Sequence, residues 1–172
     1  MTLDRRSFLK LVGAGAGAAG AAGLPMIGMA AEIMPKSGRR VVVIGGGYGG
    51  TIAAKYVRLL DKSIEVVMIE RNKQFVSCPF SNFYIAGLTN DMNSLTIGYD
   101  KLTANHGVMM VYAEVTGIDP AAKKVVTDQG TLDYDRLIVS PGIDFRTEEI
   151  EGYDAKTAEI FPHAWKAGAQ ST

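Results

Sequence analysis

An α/β fold built on a parallel sheet follows from three stretches of this sequence. Arg40-Val41-Val42-Val43-Ile44 is a short apolar, β-branched run, the composition of a strand buried on both faces. Gly45-Gly46-Gly47-Tyr48-Gly49-Gly50 comes next, and Thr51 to Leu60 then carries apolar residues at helical spacing. Ile64-Glu65-Val66-Val67-Met68-Ile69 is a second apolar strand, and it ends on an acidic residue, Glu70. Strand, glycine turn, helix, strand and carboxylate in that order make up the dinucleotide-binding fingerprint of one βαβ unit. The expected fold is Rossmann-like, with strands at Val41–Ile44 and Glu65–Ile69 and a helix over Tyr48–Leu60.

Each part of the fingerprint has a physical task. Gly45 lets the chain turn sharply off the strand, and Gly47, without a Cβ, lets the backbone approach a diphosphate. Gly50 lets helix and sheet pack closely. The unpaired N–H groups at the helix start and the helix dipole favour the negative charge of that diphosphate. The whole turn, Gly46, Tyr48 and Gly49 included, is therefore assigned to cofactor binding. Glu70 stands twenty residues beyond Gly50, where a carboxylate can accept hydrogen bonds from both hydroxyls of an adenosine ribose.

Further elements follow in order. Arg71 to Asn82 reads as loop and contains the only cysteine, Cys78. That thiol has three readings: buried and inert, paired with a cysteine beyond Thr172, or facing the cofactor. Tyr99 to His106 reads as a short helix ending at Gly107, and Val108–Val111 as a third parallel strand. Glu114–Pro120, Lys123–Thr127 and Thr131–Asp135 alternate in pattern and are separated by Asp-Pro and Gln-Gly turns, which predicts an inserted antiparallel meander. Leu137-Ile138-Val139 is another buried strand. It stops at Ser140-Pro141-Gly142, small residues suited to a second close approach to the dinucleotide. His106 and His163 lack metal-ligand spacing, no metal is expected, and Met109-Met110 reads as core.

The first thirty residues stand apart. Asp4-Arg5-Arg6-Ser7-Phe8-Leu9-Lys10 has the form of a twin-arginine export signal, followed by a weakly hydrophobic Ala/Gly run between Leu11 and Leu24. Gly28-Met29-Ala30 supplies a cleavage site, so the mature protein is expected in a bacterial periplasm with no membrane span. Residues 31–38 read as a lead-in linker, 39–160 as the N-terminal part of the dinucleotide-binding domain, and 161–172 as the truncated start of a following helical segment. The chain thus reads as the N-terminal piece of a larger protein with two dinucleotide domains. With 18 Lys+Arg against 18 Asp+Glu, and no basic stripe or aromatic platform, nothing indicates a nucleic-acid surface.

Several segments together resemble a known family. Val43 to Gly50, Ala53-Ala54-Lys55-Tyr56, Ser77-Cys78-Pro79-Phe80-Ser81-Asn82, Thr116 to Pro120, Tyr134-Asp135-Arg136, Pro141-Gly142-Ile143, Ile150 to Tyr153 and Pro162 to Gly168 are similar to the flavoprotein subunit of flavocytochrome c sulfide dehydrogenase. The likeness runs from about Gly38 to Gln170. The glycine turn is common to all two-dinucleotide flavoproteins; the cysteine loop and His163-Ala164-Trp165-Lys166 are more specific. The resemblance implies FAD as cofactor, with Gly45, Gly47 and Gly50 at the diphosphate and Glu70 at the ribose. It implies that Val115 offers backbone groups to the adenine, that Pro141-Gly142 packs on the diphosphate, and that Cys78 joins the flavin 8α position. Pro79-Phe80 departs from the family pattern beside that cysteine. The implied reaction is sulfide oxidation, with electrons passing to a c-type cytochrome subunit; the family's redox-active cysteine pair has no counterpart here, so catalytic residues are unassigned. A sulfide:quinone oxidoreductase or another FAD/NAD(P) oxidoreductase is the alternative enzyme reading, and a non-catalytic FAD-binding fragment is the alternative outside enzymes.

Overall fold

The computed structural model describes residues 31–143, 146 and 149–160. The arginine pair, the small-residue run, His163 and the helix start expected after Phe161 lie outside them. The central sheet has four parallel strands, β1 (Arg40–Ile44), β2 (Glu65–Ile69), β5 (Met109–Val111) and β9 (Arg136–Val139), in the spatial order β5-β2-β1-β9. Between β1 and β2 runs the long helix α1 (Tyr48–Leu60). The strand before residue 112 starts at Met109, one residue later than expected, and that before Ser140 starts one residue earlier, at Arg136.

Both faces of the sheet are covered at β1, which explains why its run from Val41 to Ile44 is apolar without a break. On one face, Val41, Val43, Val66, Met68 and Val108 pack with Ala54 of α1, with Tyr99 and with Leu102 of α3 (Asp100–His106). On the other face Val42, Ile44, Val67, Ile69 and Val111 meet Val125, Leu132 and Tyr134. These last belong to or follow the antiparallel meander β6 (Val115–Asp119), β7 (Lys124–Thr127) and β8 (Gly130–Asp133). The result is meander, sheet and helices in three layers. Met109 packs on the meander side and Met110 on the helix side, so both are core residues.

Two segments differ from expectation. Residues 71–82 contain a strand, β3 (Gln74–Val76), which pairs antiparallel with β4 (Thr96–Gly98), and a short helix α2 (Ser81–Ile85) begins inside the cysteine loop. A single 3-10 turn, Met92–Leu95, leads into β4. The hairpin delivers Tyr99 to the start of α3, which accordingly begins at Asp100. The lead-in is also held to the fold. Ile33 N–H donates to the Thr131 carbonyl at 2.9 Å, and Thr131 N–H to that of Ala31 at 3.0 Å. Arg40, completely buried, donates from Nη1 and Nη2 to the carbonyls of Met34 (2.9 Å) and Pro35 (2.8 Å). Its Nε reaches Glu65 Oε2, its register partner on β2, at 2.9 Å.

Candidate functional site

The strand order turns back at β1, with β2 on one side and β9 on the other, so a crevice opens at its carboxyl end. The glycine turn lies there. Gly45 has φ +98°, a left-handed conformation, and a Cβ on it would stand 2.0 Å from the Ser140 carbonyl oxygen. A Cβ on Gly50 would lie 1.8 Å from the Gly45 oxygen, so that glycine seats α1 on the turn. One on Gly49 would meet Ser140 Oγ at 2.7 Å. Ser140 N–H donates to Ile44 O at 2.8 Å. The segment leading into Pro141 and Gly142 therefore approaches the turn through Ser140, and Gly142 follows with φ +80°.

The turn's own polar groups are mostly engaged. Gly45 N–H donates to Ile69 O at 2.9 Å and Gly46 N–H to Glu70 Oε2 at 2.7 Å. Tyr99 Oη donates to Gly46 O at 3.1 Å, while Gly47 O accepts from Thr51 N–H (3.0 Å) and Thr51 Oγ1 (2.8 Å). Gly47 N–H has no acceptor among the described residues. A Cβ at Gly47 would touch only Phe75, at 3.7 Å, so space lies in front of it. No side chain caps α1, leaving its first amides open as well. Uncapped amides beside open space at a helix start are a site for a diphosphate.

Glu70 is anchored on both sides: Oε1 accepts from Asn72 N–H at 2.9 Å, and Oε2 from Gly46. A carboxylate has about four acceptor positions, so two stay available to ribose hydroxyls. Glu70 N–H donates to Val111 O at 3.0 Å, and Ala113 N–H donates to Glu70 O at 3.2 Å. Val115 follows two residues on, at the start of β6, partly buried against the meander-side core.

Cys78, half-buried, lies between β3 and α2, and its carbonyl accepts from Ser81 N–H at 2.9 Å and Ser81 Oγ at 2.8 Å. Its neighbour Ser77 is buried and its Oγ lies 2.6 Å from Tyr48 Oη. The Tyr48 ring sits edge-on to Phe75, with centroids 5.0 Å apart. Tyr48 thus ties the cysteine-bearing segment to the start of α1. Phe75, Ser77, Tyr99 and Ser140 were not among the expected site residues. A cavity of about 260 Å³ between α1, α3 and the β3–β4 pair shares Gly46, Tyr48, Phe75 and Tyr99 with this site, and Ile97 and Leu102 also line it. It includes neither Glu70 nor Cys78. Among the described residues no group of three His, Cys, Asp or Glu could hold a metal, and no helix is long and apolar enough to cross a membrane.

Residues 39–167 match the family described as pyridine nucleotide-disulphide oxidoreductase. The chain belongs to that family. Within it, a 44-residue stretch is 59% identical to the flavoprotein chain of a flavocytochrome c sulfide dehydrogenase from Chlorobaculum thiosulfatiphilum, covering 26% of this chain and 92% of that sequence. Over 129 residues the chain is 32% identical to a type II NADH:quinone oxidoreductase from Staphylococcus epidermidis, covering 74% of this chain and 32% of that one. The sulfide:quinone oxidoreductase of the hyperthermophilic bacterium Aquifex aeolicus superposes with a TM-score of 0.58 at 26% identity, over 62% of this chain and 25% of that structure. The chain therefore spans about a third or less of the length of these two oxidoreductases. A Rossmann-like parallel sheet with helices is the fold it shares with the family.

Proposed function

We propose that this chain is the FAD-holding portion of a sulfide dehydrogenase of the flavocytochrome c kind, which oxidises sulfide and passes electrons to a c-type cytochrome. The observation that carries the reading is the meeting of three elements in one crevice: the glycine turn, Glu70, and the Cys78 segment tied to Tyr48. The 59% identity to the Chlorobaculum flavoprotein chain supports that choice of substrate and acceptor. Gly45, Gly47, Gly50 and the first amides of α1 hold the diphosphate. Glu70 holds the adenosine ribose, Val115 offers its backbone to the adenine, and Pro141-Gly142 close the diphosphate from the β9 side. Bound FAD supplies a two-electron acceptor, and this chain's groups bind and orient it.

Cys78 is the point of covalent attachment, a thioether to the flavin 8α carbon. Acid denaturation of the full-length holoprotein should leave the flavin absorbance in the precipitate, whereas Cys78→Ser should release it to the supernatant. Flavin released by the wild type, with Cys78 still alkylatable, would remove the thioether from this account. Residues 1–30 act as a twin-arginine signal that carries the protein to the periplasm. Changing Arg5 and Arg6 together to lysine should abolish its periplasmic appearance; undiminished export would rule out that route. A second reading, quinone as acceptor, draws on the 129-residue match to a quinone oxidoreductase. Steady-state turnover of sulfide with cytochrome c against a soluble quinone separates the two.

A further inference from the structure

We propose that Tyr99 is a positioning residue for the cofactor diphosphate, aiming the Gly47 N–H at it from beneath the glycine turn. This rests on the FAD site proposed above. Tyr99 is 3% exposed and comes from outside the fingerprint, at the junction of β4 and α3. Its hydroxyl has one acceptor, the Gly46 carbonyl 3.1 Å away. Burial, and after it the nearby Glu70 carboxylate, push the phenol well above its ordinary pKa, so it stays protonated and donates.

The consequence for the turn follows from peptide geometry. The Gly46 carbonyl and the Gly47 N–H belong to one planar trans peptide, in which C=O and N–H point in opposite directions. Holding the carbonyl down on Tyr99 turns the N–H up, away from the protein. That N–H is the one donor of residues 45–47 without an acceptor among the described residues, and the space before it is open. The place beside Gly46 is reserved for the phenol. A Cβ on Gly46 would fall 2.4 Å from Tyr99 Oη and 3.0 Å from Glu70 Cγ. The same peptide run sends Gly46 N–H to Glu70 Oε2, so the phenol holds the diphosphate donor and the ribose carboxylate in one register.

Tyr99→Phe keeps the ring and deletes only the hydroxyl. The test uses the full-length protein in a Cys78→Ser background, so that covalent attachment cannot mask equilibrium binding. FAD affinity is measured by fluorescence titration, and the diphosphate environment by the 31P resonances of bound FAD. Tyr99→Phe should weaken FAD binding about tenfold, the value of one hydrogen bond, and should shift the 31P resonances while leaving the flavin absorption envelope unchanged. Unchanged affinity and resonances would overturn the role of Tyr99 and leave the FAD site standing. Weakened binding with unmoved resonances would make Tyr99 a packing residue only, and also overturn it. A Cys78→Ser parent that binds no FAD would overturn the site itself and the inference with it.

Discussion

Gly50→Ala should lower stability by about 3 kcal/mol, the upper end of what overpacking costs, and lower Tm by about 10 °C. The added methyl would lie 1.8 Å from the Gly45 carbonyl oxygen and 3.0 Å from its carbon, both backbone atoms that cannot rotate away. Either α1 lifts off the sheet or the turn distorts, and Ala54, completely buried on the same helix face, loses its contacts with β1 and β2. Gly47→Ala supplies the contrast. There φ is −71°, open to any residue, and the methyl would meet only Phe75 at 3.7 Å. Its Tm should stay within about 2 °C of wild type, because no buried contact is disturbed. Its FAD binding should nevertheless fail, because the methyl occupies the space the diphosphate needs. Thermal melts together with FAD titration of the two variants check both halves. Equal Tm loss in the two would mean that all the glycines serve packing alone.

Arg40→Met should cost about 3 kcal/mol, the lower end of the range for breaking a buried ion pair from one side. Methionine fills the volume but leaves the Met34 and Pro35 carbonyls without their donors and Glu65 without its cation. Glu65 keeps some solvent contact and the Ser37 hydroxyl, which is why the loss is not larger. The effect has a pH signature. The Ser37 hydroxyl first, and then Arg40, hold the Glu65 carboxyl below its ordinary value of 4.5. The folded state therefore binds fewer protons than the unfolded state in acid. The stability this contributes is fully present above that value and is lost as pH falls through the lower, folded one. Urea unfolding at pH 7 and at pH 3 should show the difference between wild type and variant narrowing at the acid end. A gap that is constant or widening with acid would show that Glu65 is not the group involved.

The legible parts of this fold are those in which neighbouring residues carry the whole pattern. Val41 to Ile44 announce a strand because both faces must be apolar, and the glycines at 45, 46, 49 and 50 announce the turn because close approaches there leave no room for a Cβ. The β3–β4 hairpin is different. Its strands have three residues each, too few to show alternation, and its first follows the polar Arg71-Asn72-Lys73. Tyr99 meets Gly46 across 53 residues, and no local pattern marks an aromatic residue for that role. The lead-in misleads for a related reason. Pro35-Lys36-Ser37-Gly38 has the composition of a linker, yet the Pro35 carbonyl accepts from buried Arg40, Lys36 pairs with Asp135 and Ser37 with Glu65. That Glu70 ends up beside the glycine turn was readable from spacing, whereas the contact of Ser77 with Tyr48 arises from the β3–β4 pairing and could not be.

The register of β1 also sets an order of assembly on the ribosome. Its pairing with β2 needs only residues up to Ile69, so the first βαβ unit is complete early in synthesis. Its other edge is closed by β9, where Val41 pairs with Arg136. At about 5–20 residues per second, the chain between those strands takes roughly 5–20 s to make. Throughout that interval the apolar run Val41–Ile44 displays a row of unpaired amides and carbonyls, a template for pairing with a neighbouring chain. Messages broken before the codon for Arg136 would leave that edge open permanently. Pairing with β9 thus turns β1 from an edge strand into an interior one, covered on both sides by β2 and β9.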